Sequence, residues 1–204
     1  MTIPKIIHHI TPRDKSVWHP VWSICLSTWY DHYPEPEYKH MFWMDDEIHS
    51  YVLEKFPQYY QTVCDFKYNI NRIDFLRWLI LYEHGGLYAD MDYMPYENFF
   101  EDIVKDVAIV LSSHREENYT NCLMASVPKH KMLLKLAEQT IENFNTKVYP
   151  DRHQTAIDLG VHCPDYVRDK DPDYFDSIVQ TLPWEIYNPN IEDYHFNPER
   201  LEGS

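Results

Sequence analysis

Arg72-Ile73-Asp74-Phe75-Leu76-Arg77-Trp78-Leu79-Ile80-Leu81-Tyr82-Glu83-His84-Gly85-Gly86-Leu87-Tyr88-Ala89-Asp90-Met91-Asp92 is the stretch whose reading decides the fold. The apolar spacing predicts a helix over Asn69 to His84, with Ile70, Ile73, Leu76, Ile80 and Leu81 as its core stripe. Gly85 stands where such a helix ends, and with Gly86 it permits a tight turn directly into a strand over Leu87 to Asp92. Residues three apart on a helix are neighbours, so Asp74 and Arg77 share a polar face. Residues two apart on a strand share a face, so Tyr88, Asp90 and Asp92 point one way while Leu87, Ala89 and Met91 point the other. Two carboxylates are then expected on one face, about 7 Å apart at the backbone.

That pair suits a hard divalent cation, Mn²⁺ or Mg²⁺, which keeps some water and takes its remaining ligands from phosphate oxygens. Arg77 supplies a second positive charge for a phosphate, or a clamp for Asp74. A lone D-x-D in an acidic chain also reads as a solvated edge, and Asp74 with Arg77 as a surface ion pair of small value. A solvated edge, however, does not require a glycine pair and a polar helix face at fixed distance before it.

Working outward, Lys5 to Ile10 reads as a first strand stopped by Thr11-Pro12, and Val17 to Tyr33 as a helix ending before Pro34. Tyr38 to Met44 reads as a second strand, entering Asp45-Asp46 as the cap of a helix that runs to Phe56. Val107 to Leu111 and Cys122 to Val127 are further strand candidates, and Lys131 to Phe144 is an amphipathic helix. From Tyr149 on, the Pro/Asp/Tyr-rich sequence reads as irregular loops with short apolar pieces at Ile178 to Leu182 and Trp184 to Tyr187. Strands alternating with helices point to a single-domain α/β sandwich.

Composition narrows the function. The chain has 204 residues, with 18 Lys+Arg against 33 Asp+Glu and a formal charge of −15. Such an excess of carboxylates disfavours nucleic acid or an anionic membrane surface as the main partner. Cys25, Cys64, Cys122 and Cys163 form no CxxC pair and no zinc-like spacing, so reduced structural thiols are expected. The first residues carry no apolar leader, and no window approaches a membrane span. A soluble, cytoplasmic protein is the expectation, or a catalytic domain cut from a longer anchored chain.

The Arg72–Asp92 string resembles the DXD-containing sugar-binding region of family-32 glycosyltransferases, a group similar to initiating mannosyltransferases and, distantly, to clostridial glucosylating toxins. Ile3-Pro4-Lys5-Ile6-Ile7-His8, Phe42-Trp43-Met44-Asp45-Asp46, and Asn121-Cys122-Leu123-Met124-Ala125 followed by Pro128-Lys129-His130 agree in order. The resemblance implies a GT-A fold binding a nucleotide sugar, with residues 1–127 as the nucleotide-sugar-binding core and 128–204 as a helix plus an irregular acceptor-side region. By the same resemblance Asp74, Arg77, Asp90 and Asp92 are the catalytic set. Asp74 and Arg77 would contact donor sugar and diphosphate, Asp90 would hold ribose or sugar and help the metal, and Asp92 would ligate Mn²⁺ or Mg²⁺ directly. Tyr88 would lie beside the phosphates, His8, His9 and Ile10 under the base, and Asn121 near the donor sugar.

The chain departs from the pattern in three places. Thr11 stands where relatives have Trp, Thr155-Ala156-Ile157 replaces a Thr-Gly-Pro, and Tyr194-His195-Phe196 lacks the Ser-Trp that usually follows. His195 is the candidate third metal ligand. The implied activity is metal-dependent, retaining transfer of a hexose or deoxyhexose from a nucleoside diphosphate sugar, UDP favoured over GDP, to a glycan or other hydroxyl acceptor, a carbohydrate or glycoconjugate. A non-catalytic carbohydrate-recognition or assembly protein on the same fold is the alternative. A D-x-D phosphohydrolase is disfavoured, because its motif follows a long apolar strand rather than Gly-Gly and carries Thr or Val where Met94 stands.

Overall fold

Ile6–Thr11, β-branched residues around a histidine pair without a glycine, forms the first strand (β1), an interior strand of a six-stranded sheet. The structure is a computed structural model describing residues 2–103, 108–114, 118–149 and 151–183. Helix α1 (Pro20–His32) leads to β2 (Lys39–Met44), α2 (Ile48–Lys55), α3 (Tyr60–Asp65), α4 (Asn69–His84) and β3 (Gly86–Ala89). After α5 (Phe100–Ile103) come β4 (Ile109–His114), β5 (Asn118–Ser126) and α6 (Lys131–Thr146). Next are α7 (Arg152–Ala156), a π-helical turn (Ile157–Val161), α8 (Cys163–Lys170), α9 (Pro172–Ile178) and β6 (Val179–Leu182).

The strand order is β2-β1-β3-β5-β4-β6. β1 runs parallel to both β2 and β3, whereas β5 is antiparallel to β3 and β4, and β6 lies parallel to β4. Side-chain alternation divides the interior into two layers. Tyr88, Ile109, Leu111 and Met124 face a core built with α2, α3, α4, α6, α8 and α9. Leu87, Ala89, Val110, Leu123 and Ala125 face the opposite core, with Trp29 and Tyr33 of α1 and Phe100 and Ile103 of α5. Among the described residues no helix is long and apolar enough to cross a membrane.

Three expectations are revised. Helix α4 has no single core stripe: every residue from Asp74 to Leu81 is buried, while Ile70 and Ile73 are only partly so. It is a central helix enclosed on all sides, so its polar face is interior too. Asp45 and Asp46 do not cap α2; they begin a 3₁₀ turn (Asp45–Glu47), and Asp46 instead pairs with Arg13. Residues 152–182 are helical with a final strand, because Asp151 and Asp171 cap α7 and α9 through their side chains and Pro164 and Pro172 sit in first turns, where proline fits a helix. The Trp184 to Tyr187 piece lies outside the described residues.

The glycine pair does what its sequence position suggests. Gly85 (φ 63°) ends α4, its N–H bonded to Leu81 O at 2.8 Å, and Gly86 (φ 97°) starts β3. A Cβ on Gly86 would stand 2.5 Å from the Ile6 carbonyl oxygen, and one on Gly85 2.7 Å from Pro128. Both glycines are therefore required twice, by backbone conformation and by contact.

Candidate functional site

The C-terminal end of β3 lies beside β1, from which the chain order runs to β2 on one side and β3 on the other, the kind of switch point at which α/β folds open a crevice. β3 stops at Ala89, earlier than the strand expected over Leu87 to Asp92. Asp90 keeps one more ladder bond, N–H to Cys122 O at 2.9 Å, and Tyr93 N–H then closes a turn onto Asp90 O at 3.0 Å. The carboxylates of Asp90 and Asp92 thus leave a turn rather than one strand face. Asp90 points inward and Asp92 is exposed.

Arg77 organises the interior side. Its guanidinium reaches Asp90 Oδ1 at 2.8 Å, Asp74 Oδ1 at 3.2 Å and the Asn121 carbonyl at 3.1 Å. It also stands over the Tyr88 ring, 5.0 Å from the centroid. Tyr88 donates its hydroxyl to Asp90 Oδ1 at 2.6 Å, and Asn121 Nδ2 donates to Asp74 Oδ1 at 2.9 Å. Asp74, Arg77 and Asn121 are only 3%, 5% and 3% exposed, so this is a buried ionic network and not the surface pair that helix spacing alone allows.

Burial pushes Asp74 up to about 6, against the pull of Arg77 and Asn121. Asp90 is also raised by burial, again opposed by Arg77. For Arg77 burial acts downward, but Asp90, Tyr88 and Asp74 together outweigh it and fix the positive charge. The site sets one fixed cation, Arg77, against the carboxyl groups of Asp74, Asp90 and Asp92.

Thus Asp74, Arg77, Tyr88, Asp90 and Asn121 converge, with Asp92 close enough to raise Asp90 electrostatically. The β1 residues sit beside this cluster with their side chains occupied by the protein. His8 bonds through Nε2 to Gly85 O at 2.8 Å and accepts at Nδ1 from the Trp43 indole at 3.1 Å. His9 bonds through Nδ1 to Ala89 O at 2.9 Å and stacks on Phe42, while Ile10 is buried in the α4-side core. His195 lies outside the described residues. Gly160, in the π-helical turn, was not anticipated: a Cβ there would stand 2.6 Å from Asp74 Cγ and 2.9 Å from Asn121 Nδ2. A glycine in a chain with only 4 of them was the available signal.

Residues 20–110 match the family described as glycosyltransferase sugar-binding region containing DXD motif. Over this stretch, a little under half of its length, the chain is similar to DXD-containing glycosyltransferases. Inositol phosphoceramide mannosyltransferase 1 of Schizosaccharomyces pombe is 26% identical over 159 residues, 78% of this chain and 49% of that protein. Mannosyl phosphorylinositol ceramide synthase SUR1 of Saccharomyces cerevisiae is 31% identical over 136 residues, 65% of this chain and 33% of that one. The chain therefore spans half or less of the length of these relatives. Among solved structures, PaToxG glycosyltransferase superposes with a TM-score of 0.59 at 16% identity, over 86% of this chain and 73% of its own. The ligand-free glycosyltransferase domain of the YGT toxin gives 0.58 at 10%, over 89% and 80%. Both agree with a GT-A-like α/β architecture.

Among the described residues no three His, Cys, Asp or Glu side chains converge as a closed metal site. The two carboxylates after β3, Asp90 and Asp92, are the candidate oxygen donors. Hard oxygens on an exposed turn fit Mg²⁺ or Mn²⁺ that completes its shell with water and phosphate oxygens.

The β1 histidines give the stability of the chain a pH dependence. Burial holds His8 down at about 3 and His9 at about 4, whereas an unfolded histidine titrates near 6.5. Below 6.5 the unfolded chain takes up protons the folded chain refuses, so stability is lost as pH falls through this window. Asp74 acts with the opposite sign, because protonation near 6 favours the fold. At pH 5 the two histidines cost about 4 kcal/mol and Asp74 returns about 1 kcal/mol, so the histidines win. Urea midpoints should fall steadily between pH 7 and 5. A flat profile would mean that both rings accept protons in place.

Proposed function

We propose that this chain transfers a glycosyl group from a nucleoside diphosphate sugar to a hydroxyl of a glycoconjugate, with a divalent cation and retention of anomeric configuration. The observation that carries the reading is the buried Arg77, which holds Asp74 and Asp90 together beside the exposed Asp92 at the sheet's switch point. Three carboxylates around one arginine leave a net negative site, which an anionic diphosphate enters only with added positive charge. A cation held by Asp90 and Asp92 would supply that charge and stabilise the leaving diphosphate. Arg77 adds a fixed positive charge behind the phosphates, and Asp74 accepts hydrogen bonds from donor hydroxyls. Asp74 and Asp90 are both committed to Arg77, which favours a front-face substitution over attack by an enzyme carboxylate. The relatives' names make mannose the first sugar to try, with both GDP and UDP as carriers.

Thermal-shift measurements with Mn²⁺ and a panel of UDP- and GDP-sugars test the reading. One donor should raise the midpoint and be slowly hydrolysed, and EDTA should cancel both effects; ligand at 100 times its Kd adds about 2.7 kcal/mol. Glycan binding without turnover of any donor would instead establish a recognition module.

A further inference from the structure

The α6 helix and the π-helical turn form a polar ladder that ends on Asp74, and no donor contact accounts for it. Gln139 Nε2 donates to Asn143 Oδ1 at 2.9 Å, and Asn143 Nδ2 donates to the Asp158 carbonyl at 2.9 Å. One residue on, the Thr140 hydroxyl lies 3.0 Å from the Leu159 carbonyl, with Leu136 O of its own helix at 3.1 Å as the competing acceptor. Gln139, Thr140 and Asn143 are all buried, an uncommon group of polar side chains on the inner face of an amphipathic helix. The targets of Asn143 and Thr140 are successive carbonyls of Ile157–Val161, whose wide turn is closed by His162 N–H onto Ile157 O at 2.8 Å. The next residue, Gly160, is the one whose missing Cβ leaves room for the Asp74 carboxylate and the Asn121 amide.

Gly160 has no left-handed backbone to excuse it, so close approach is its only requirement. π-Helical turns cost regular hydrogen bonding and occur disproportionately at functional sites. We propose that Thr140, Asn143 and Gly160 are positioning residues: α6 grips the turn, and the turn's bare Cα forms the wall that sets the Asp74 carboxylate for the donor sugar. The inference rests on the donor-binding reading above. It adds that sugar engagement, as distinct from nucleotide binding, is governed from α6.

The test compares Thr140→Val, Thr140→Ser and Gly160→Ala with the wild-type chain, using whichever donor the panel identifies. Valine keeps the shape of threonine and removes the hydroxyl, whereas serine keeps the hydroxyl. Turnover should fall about a hundredfold in Thr140→Val and Gly160→Ala, the scale of an ångström-sized misplacement, and return to within about threefold of wild type in Thr140→Ser. Calorimetry with Mn²⁺ and the free nucleoside diphosphate should give affinities within about twofold of wild type in all three, because Asp74 meets only the sugar. Folded Gly160→Ala with undiminished turnover would overturn the proposal, as would an equal loss of nucleoside diphosphate affinity. Should Thr140→Val fail to fold, Gly160→Ala decides. A wild-type chain that turns over no donor refutes the enzymatic reading instead, so the two failures are distinguishable.

Discussion

Arg77→Ala is expected to cost about 3–5 kcal/mol of folding stability, the usual penalty for stranding a buried charge, and to remove turnover as well. The guanidinium is the counterion of Asp74 and Asp90 together, and it donates to the Asn121 carbonyl on β5. Truncation leaves two carboxylates facing each other without a cation, in a place where burial already raises both. Both would be driven higher, so between pH 7 and 5.5 proton uptake by the two carboxylates offsets the loss from His8 and His9, which the variant keeps. The variant should therefore lose less stability over this range than the wild type, so its deficit relative to wild type is larger at neutral pH than at pH 5.5. Chemical denaturation of both chains at the two pH values measures that difference. Equal losses at both would show that Arg77 contributes through packing alone. Arg77→Lys should not rescue activity, since one ammonium cannot reach three acceptors in different directions.

Asp92→Ala should do the reverse, leaving the fold intact while reducing transfer by about a thousandfold or more, the upper range for losing a group that stabilises charge at the reacting centre. Asp92 is exposed and none of the interior contacts of the site involves it. Its removal also relieves Asp90, whose carboxyl it pushes upward. Melting temperature should therefore stay within a degree or two of wild type, while the Mn²⁺-dependent shift with donor disappears. An Asp92→Ala chain that retains transfer, or retains its metal response, would show that Asp90 alone holds the cation and that the motif's second carboxylate is a solvated turn residue.

The contrast between these two variants marks how far the sequence could be read. Spacing placed Asp74 and Arg77 on one face of α4 and put the helix stop at Gly85, because helix periodicity and glycine's freedom are local properties. Whether that face was wet or dry was not local. It depended on Asn121, on a strand more than forty residues away, and on Gly160 beyond that. The turn at Asp90 was missed for a similar reason: alternation in Leu87–Asp92 is compatible with a longer strand, and only the pairing with β5 shows that regular pairing ends at Ala89. His8 and His9 stood out in a first strand, yet their ring partners are backbone carbonyls of Gly85 and Ala89, about eighty residues on, which no side-chain pattern reveals. The helices of 152–182 were hidden because aspartate and proline, read as loop formers, here sit at N-caps and first turns.

The mixed sheet also bears on the order in which the site can be completed as the chain is made. Arg77 and Asp90 emerge first and belong to the parallel half; Asn121 arrives with the antiparallel hairpin, and Gly160 later still. A nascent chain ending near residue 100 would hold the arginine and the carboxylates without the amide or the wall that enclose them, so its ionic network would stay hydrated and weak. The cluster is thus incomplete until nearly the whole described chain has folded, and a product truncated near residue 100 would carry the D-x-D motif without the enclosed site.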